Sequence, residues 1–444
     1  MKVYLDSVGC RLNQSEIEAY ARQFRMAGHE LVATPHEADL AVVNTCSVTS
    51  QAASDSRQKV RQASRLGARE IAVTGCWSTL NPREAAALQN VSHVIPNLTK
   101  DGLVAQLLDL PAQALDSEPF DTEPIARQPV PGARLRTRAF IKVQDGCDNR
   151  CTFCVTTLAR GAGRSRSIPA VLRDVRAALD GDCQEVVLTG VHLGSWGQDI
   201  TPTSHLRHLV QAILAETDAP RVRLSSLEPW DLDAEFFSLW ENPRLCRHLH
   251  LPLQSGSAAT LQRMRRRISP EAFAALVASA RRLIPGIAIT TDVIVGFPGE
   301  TPDEFAETVD FVRRMGFAGG HVFTYSARRG TAAARLPEQV PHPLRKQRNA
   351  ELRAIFMQFA VEYQQRFLGS TLPVLWESAA AVGPQGWRMS GLTDNYLRVT
   401  AHAEQHLWNR ITPVRLTSLQ EDGIAGMVID SNVGTSERLN VSTF

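Results

Sequence analysis

KVYLDSV, DLAVVNT and REIAVTG, the first three β-like runs of this 444-residue chain, end beside Cys10, Cys46 and Cys76, and helical stretches alternate with them. Helical patterns cover roughly Gln14 to Ala27 and Ala52 to Arg65. Strands alternating with helices specify a parallel sheet, and ligands of such sheets bind beyond the carboxyl ends of the strands. The three cysteines therefore lie on one edge of one sheet. With 35 and then 29 residues between them, they can converge on one ligand.

A second α/β region has six candidate strands: AFIKVQ, EVVLTG, RVRLSS, RHLHLPL, IAITTDVIVG and HVFTYS. Eight-unit barrels need about 250 residues, so six units suggest an incomplete barrel, open on one side. Between the two regions the chain is rich in Pro and charge (DSEPFDTEPIARQPVPGARLR), as a linker is. After Phe367, short β-like runs (TLPVLWES, YLRVTA, TPVRLTSL) separated by Gly and Pro read as a small β-barrel. The expected organisation is an α/β chain of three domains and a linker: a parallel-sheet domain over 1–110, a linker over 111–132, a partial (β/α)6 barrel over 133–365 and a small β-barrel over 367–436.

Cys147-Asp148-Asn149-Arg150-Cys151-Thr152-Phe153-Cys154 is a C-x3-C-x2-C run directly after the strand AFIKVQ, at the mouth where barrel active sites sit. Three thiolates this close can ligate three irons of a [4Fe–4S] cubane and leave the fourth open to an exogenous donor. Structural zinc wants four protein ligands, usually as paired C-x2-C, and the chain has no second pair. The N-terminus lacks a signal-peptide pattern and no apolar run is long enough to span a bilayer, so a cytoplasmic location, no membrane partner and reduced thiols are expected. Cys183 and Cys246, the remaining two of eight cysteines, read as small buried hydrophobes, and His248 and His250 as ordinary core or strand-end histidines. Net charge is only +2, but arginines cluster between Arg127 and Arg176 and at Arg263, Arg265, Arg266 and Arg267, where solvated faces and RNA phosphate contacts are both open readings.

C-x3-C-x2-C after the first strand of a partial barrel resembles the radical S-adenosylmethionine (SAM) superfamily. That resemblance implies SAM on the open iron, with Gly190, Ser226, Glu228, Gln254 and Gly296, at or just past successive strand ends, as candidate SAM contacts. It narrows further. Gly9-Cys10-Arg11-Leu12-Asn13-Gln14, Asn44-Thr45-Cys46-Ser47-Val48-Thr49, Gly75-Cys76, the run from Gly146 to Gly161 and Ser165-Arg166 resemble the methylthiotransferases. Gly391-Leu392-Thr393-Asp394-Asn395-Tyr396 is similar to their RNA-binding TRAM barrel. The family implies a second [4Fe–4S] cluster on Cys10, Cys46 and Cys76, beside the first on Cys147, Cys151 and Cys154. It also implies a tRNA substrate, an electron donor and a sulfur source. Asn-Gln-Ser-Glu after Cys10, Ser-Val-Thr after Cys46 and Val-His-Leu-Gly-Ser-Trp-Gly point to the branch that modifies C2 of N6-threonylcarbamoyladenosine at position 37. Isopentenyl-adenosine, a ribosomal-protein aspartate and a non-catalytic iron–sulfur RNA-binding module are the alternatives. Val155-Thr156-Thr157 departs from the family's two apolar residues and Pro after the third cysteine. Phe153, Trp196 and Trp230 could stack on a base or pack the barrel rim. Arg160, Arg164 and Arg166 could pair with the threonylcarbamoyl carboxylate or with phosphates. Arg398, Arg410 and Arg415, beside Tyr396 and Trp408, are expected on the RNA-binding face of the last domain.

Overall fold

The computed structural model describes residues 1–111, 115, 137–381 and 386–429; the expected linker, but for Pro111 and Leu115, lies outside these residues. The first region comprises β1 (Lys2–Ser7), α1 (Arg11–Met26), β2 (Glu30–Leu31), β3 (Leu40–Thr45), α2 (Ser50–Arg65), β4 (Glu70–Gly75), α3 (Cys76–Leu80), α4 (Pro82–Ala86), β5 (Val91–Ile95) and α5 (Leu103–Leu107). Its five strands are all parallel, in the order β2-β1-β3-β4-β5. Side chains alternate across the sheet. Ala41, Val43, Ile71 and Val73 pack with Ala53, Val60 and Ala63 of α2, while Leu40, Val42 and Ala72 pack with Tyr20 and Phe24 of α1. Covered on both faces, β3 is buried throughout.

The middle region runs β6 (Arg138–Lys142), β7 (Gln144–Asp145), α6 (Thr156–Arg160), β8 (Arg164–Ser165), α7 (Ile168–Asp180), β9 (Glu185–Thr189), α8 (Leu206–Glu216), β10 (Arg221–Leu224), α9 (Ala234–Phe237) and β11 (His248–His250). It continues with α10 (Ala258–Arg263), α11 (Pro270–Leu283), β12 (Ala288–Val295), α12 (Pro302–Met315), β13 (Gly319–Thr324) and α13 (His342–Gln365). Two parallel three-stranded sheets, β10-β9-β6 and β11-β12-β13, are joined by parallel bridges at Val222–Leu245 and Ser226–His250. The order around the barrel is thus β6-β9-β10-β11-β12-β13, and β13 does not pair back to β6. This is the incomplete barrel expected from the six apolar runs.

The last region, β14 (Thr371–Ala381), β15 (Trp387–Thr393), β16 (Arg398–Ala403), β17 (Ile411–Gln420) and β18 (Gly423–Val428), closes on itself in the order β14-β15-β16-β18-β17, with β17 antiparallel to β14. Val374, Trp376, Met389, Val399, Val414, Leu416 and Ile424 fill it. It docks under the larger barrel, at the starts of the strands. Arg221 donates to the carbonyls of Leu392 (3.0 Å) and Pro373 (2.7 Å), and Arg223 to those of Asp394 (2.9 Å) and Thr393 (3.2 Å). Arg223 also forks onto Glu185 at 2.6 and 3.0 Å, and both residues are fully buried. Arg247 pairs with Asp394 at 2.7 Å, and Arg138 with Glu377 at 2.6 Å. Tyr396 enters the lumen and stacks on His248, ring centroids 4.4 Å apart. The Gly391–Tyr396 segment is therefore the docking turn, which takes Tyr396 off the RNA-facing surface; Arg398, Arg410 and Arg415 are exposed. Among the described residues no helix is long and apolar enough to cross a membrane.

Candidate functional site

β1, β3 and β4 are neighbours in the first sheet, and each delivers one cysteine at its carboxyl end. Cys10 caps the start of α1, Cys46 follows β3, and Cys76 opens α3. Two glycines allow the approach. Gly75 has φ +95° and backs onto Thr45, where a Cβ would stand 2.2 Å from the carbonyl oxygen. Gly9, at φ +104°, would place a Cβ 2.7 Å from Cys46 Sγ. Burial, helped by the repulsion of Cys10 and Cys76, pushes the Cys46 thiol up to about 11.

The second group sits at the mouth of the barrel. Cys154 Sγ lies 3.1 Å from Thr156 Oγ1 and accepts from the Thr156 N–H at 3.4 Å, so the departure from the family pattern at Thr156 adds a hydroxyl contact to a cysteine sulfur. Arg266 Nη1 donates to Cys151 Sγ at 3.8 Å; burial raises that thiol to about 11, against the pull of Arg266. Burial alone would lower the His192 pKa, but hydrogen bonds to Asp231 (2.7 Å) and Cys147 raise it to about 10.

Arg160 joins the two groups. It closes α6, just beyond Cys154, and is buried. Its Nε donates to Cys76 Sγ (3.3 Å), Nη2 to Asn13 Oδ1 (2.7 Å), and Nη1 to Asp145 Oδ1 (2.8 Å) and Glu16 Oε1 (3.2 Å). Lys100, fully buried, lies 2.5 Å from Glu16 and 3.5 Å from Asp145. Burial alone would raise the Glu16 carboxyl, yet Arg160, Lys100 and Lys142 hold it down at about 2. Asn97 Nδ2 adds a contact to Cys76 Sγ at 3.6 Å. Sequence reasoning missed Glu16, Asn97, Lys100 and Asp145, because their partners lie far away in the chain.

The candidate SAM contacts ring the same mouth. Gln144 Oε1 accepts from the N–H groups of Val191 (3.0 Å) and His192 (2.9 Å), fixing the loop after Gly190. Ser226 bridges to His250, and Glu228 forks onto Arg266 at 3.1 and 2.5 Å. Arg266 in turn lies 4.5 Å over the Trp230 ring. Gln254 is a non-glycine at φ +71°, a strained conformation of the kind stored at functional sites. Gly296 donates its N–H to Glu300, and Arg345 covers its Cα. Ser225 Oγ, Trp230 Nε1 and Arg266 Nε are buried donors without a hydrogen-bond partner among the described residues.

Several expected substrate contacts are engaged elsewhere. Arg160 is bonded to Cys76, Asn13, Asp145 and Glu16, and Arg166 pairs with Asp174 at 2.6 Å. Arg164 donates to the backbone carbonyl of Arg160 at 3.0 Å. Trp196 is buried with its indole N–H on the Arg166 carbonyl (2.9 Å), and Phe153 packs edge-on against Phe297. Both belong to the barrel rim.

Among the described residues no three His, Cys, Asp or Glu side chains are grouped to hold a single metal ion. Three thiols without a fourth ligand match instead a cubane, in which each cysteine serves its own iron. The buried cations against Cys76 and Cys151 suit the negative charge of such a thiolate set.

Residues 141–312 match the radical SAM superfamily, and residues 2–96 match a family described as Uncharacterized protein family UPF0004. The chain is 34% identical over 420 residues to the Threonylcarbamoyladenosine tRNA methylthiotransferase MtaB of Bacillus subtilis (strain 168), covering 93% of both chains. It is 34% identical over 430 residues to the protein of the same name from Thermotoga maritima, covering 95% of this chain and 96% of the relative. It is 31% identical over 433 residues to a tRNA-2-methylthio-N(6)-dimethylallyladenosine synthase of Moorella thermoacetica, covering 95% and 97%. Among solved structures, the radical S-adenosylmethionine methyltransferase TsrM from Kitasatospora setae superposes with a TM-score of 0.54 at 16% identity, over 72% of both chains, a likeness of fold alone. With a radical SAM barrel, a cysteine-bearing parallel sheet and relatives matched over nearly their full length, the chain belongs to the radical SAM methylthiotransferase family.

Proposed function

We propose that this protein adds a methylthio group to C2 of N6-threonylcarbamoyladenosine at position 37 of tRNA, 3′ of the anticodon. The observation that carries this is the pair of three-cysteine groups, linked where Arg160, at the end of the helix that follows Cys154, donates to the Cys76 sulfur. The similarity to relatives named for threonylcarbamoyladenosine supports the substrate.

In this reading Cys147, Cys151 and Cys154 hold one [4Fe–4S] cluster and Cys10, Cys46 and Cys76 a second. When bound, the first cluster with SAM supplies a carbon radical able to take hydrogen from an unactivated C–H, and the second supplies an iron site for sulfur. The protein does the positioning. Arg160 ties the helix that follows Cys154 to the Cys76 sulfur, and Gln144 orders the loop after Gly190. The orphaned donors at Ser225, Trp230 and Arg266 are supports for a polar cofactor there, with Gly190, Ser226, Glu228, Gln254 and Gly296 as its contacts. The enzyme works in the cytoplasm with an electron donor and a sulfur source. The division into an N-terminal domain (1–110), a linker (111–132), a radical SAM core (133–365) and a TRAM domain (367–436) belongs to the same reading, with the last domain gripping tRNA phosphates.

The test gives purified, reduced enzyme and SAM either threonylcarbamoyl or isopentenyl tRNA, and analyses the nucleosides by mass spectrometry. Methylthiolation of the threonylcarbamoyl tRNA is expected. A product from the isopentenyl tRNA alone would overturn the substrate assignment and leave the family intact.

A further inference from the structure

C2, N1 and N6 share one edge of adenine. A group that meets the N6 substituent while sulfur reaches C2 must therefore stand beside the cysteines that present the sulfur. Arg11 follows Cys10 directly and opens α1. That helix covers β6, where Ser15 Oγ accepts from the Lys142 N–H at 3.1 Å, so its first turn lies at the open side of the barrel. Arg11 Nη2 donates to Tyr396 Oη at 2.7 Å, inside the lumen, and the remaining guanidinium N–H groups have no carboxylate partner among the described residues.

Across the opening stands the inner face of β12 and β13. Asp292 pairs in register with His321, and Ile294 with Phe323. The Asp292 carboxylate lies 3.3 Å from His250 Nε2 and 3.2 Å from His321 Nδ1, two partners that offset its charge. The hydrogen bond to Asp292 also raises the His321 pKa. His321 Nε2 has no hydrogen bond among the described residues, and the His321 side chain is 73% exposed. Phe323 is 40% exposed on the same face, an aromatic surface open to the lumen. Arg160 is engaged as described, and Arg328 donates to the hydroxyls of Ser47 (2.8 Å) and Ser50 (3.3 Å), on the far side of Cys46 in sequence from Arg11.

We propose that Arg11, with His321 opposite, reads the carboxylate of the N6-threonylcarbamoyl group, while Phe323 stacks on the adenine. This rests on the substrate reading above and assigns the residues that make the choice. Isopentenyl has no carboxylate and gains nothing from Arg11. A carboxylate brought into this opening without a cation would lose its solvation uncompensated.

The experiment uses full-length reconstituted enzyme and anticodon stem-loop RNAs whose threonylcarbamoyl carboxylate is either free or a methyl ester. Wild type should favour the free acid. Arg11→Met should lower kcat/KM for the acid about 10- to 100-fold, the worth of a charge-assisted hydrogen bond, chiefly through KM. The acid-to-ester ratio should fall toward one, and Arg11→Lys should restore part of it. Iron content reports whether the Cys10 site survives the change, and RNA-free SAM cleavage whether the Cys147 group does. His321→Gln, outside both cysteine groups, provides a second reading and should move the ratio in the same direction. An unchanged ratio in iron-replete Arg11→Met, or in His321→Gln should Arg11→Met lose iron, overturns the proposal. Wild-type action on isopentenyl RNA alone would overturn the substrate reading and this assignment with it.

Discussion

Replacing Glu185 by Ala tests what holds the C-terminal barrel in place. Glu185 and Arg223 are both fully buried, and among the described residues the carboxylate is the one acidic partner within 3.0 Å of that guanidinium. Arg138 and Arg221 lie 3.9 Å away and gain less from it. Removing one member of a buried ion pair costs about 3–5 kcal/mol, because the other charge stays buried. Arg223 keeps the carbonyls of Thr393 and Asp394, which places the cost at the low end, about 3 kcal/mol, or roughly 150-fold in the docking equilibrium. The readout is hydrogen exchange at Tyr396 and Leu397, whose N–H groups bond within the docking turn to Thr393. Their protection should fall by about that factor if the barrel opens as a unit. The pH dependence has a definite sign. Burial alone would raise the Glu185 carboxyl, but Arg223 outweighs it and holds the pKa below the ordinary value. The clamp's contribution is therefore present above the unfolded carboxylate pKa, near 4.3, and is lost as pH falls through the lower folded value. Unchanged exchange in Glu185→Ala at neutral pH would refute the clamp.

Three further outcomes are expected. Reconstituted enzyme should hold about eight irons, as two cubanes require. Cys147→Ala and Cys76→Ala should each halve the iron, and only Cys147→Ala should abolish SAM cleavage; iron analysis and 5′-deoxyadenosine detection decide both. Gly75→Ala should deplete iron at the Cys76 site alone, because its Cβ would meet the Thr45 backbone at 2.2 Å and the +95° φ disfavours Ala. Arg398, Arg410 and Arg415, each changed to Gln, should lower the slope of log Kd for tRNA against log salt by about 0.7–0.9 for every phosphate the variant ceases to neutralise; an unaltered slope in the triple variant places the RNA surface elsewhere. Truncation at Phe367 is a poorer test, since it would uncover Arg221 and Arg223.

The two parallel regions were legible because their strands are continuous β-branched and apolar runs, and parallel topology alone brings Cys10, Cys46 and Cys76 to one edge. Six strands escaped the sequence reading. β2, β7 and β8 span only two residues each, and β5 is an edge strand with exposed Ser92 and His93. β15 and β18 carry glycines that weaken a strand signal. The barrel needs them, since a Cβ at Gly391 would meet the Leu375 carbonyl oxygen at 2.2 Å, and one at Gly426 would meet Val414 at 2.4 Å. The roles of Arg160, Glu185 and Tyr396 were illegible for another reason. Arg160 and Glu16 stand 144 residues apart, and Arg11 and Tyr396 385. A local pattern of charge reveals a cation and says nothing of the distant carboxylate that will claim it.

The bridge from Arg160 to Cys76 also orders events during synthesis. The N-terminal sheet leaves the ribosome with its three cysteines and with Glu16 and Lys100 in place, but the donor to the Cys76 sulfur lies 84 residues further on. At about 5–20 residues per second, that interval is about 4–17 seconds. Arg160 emerges only after Cys154, so by the time the first ligand set gains its cationic partner, the second set is already out. The second set waits longer still, since Arg266, the donor to Cys151, lies 115 residues beyond that sulfur.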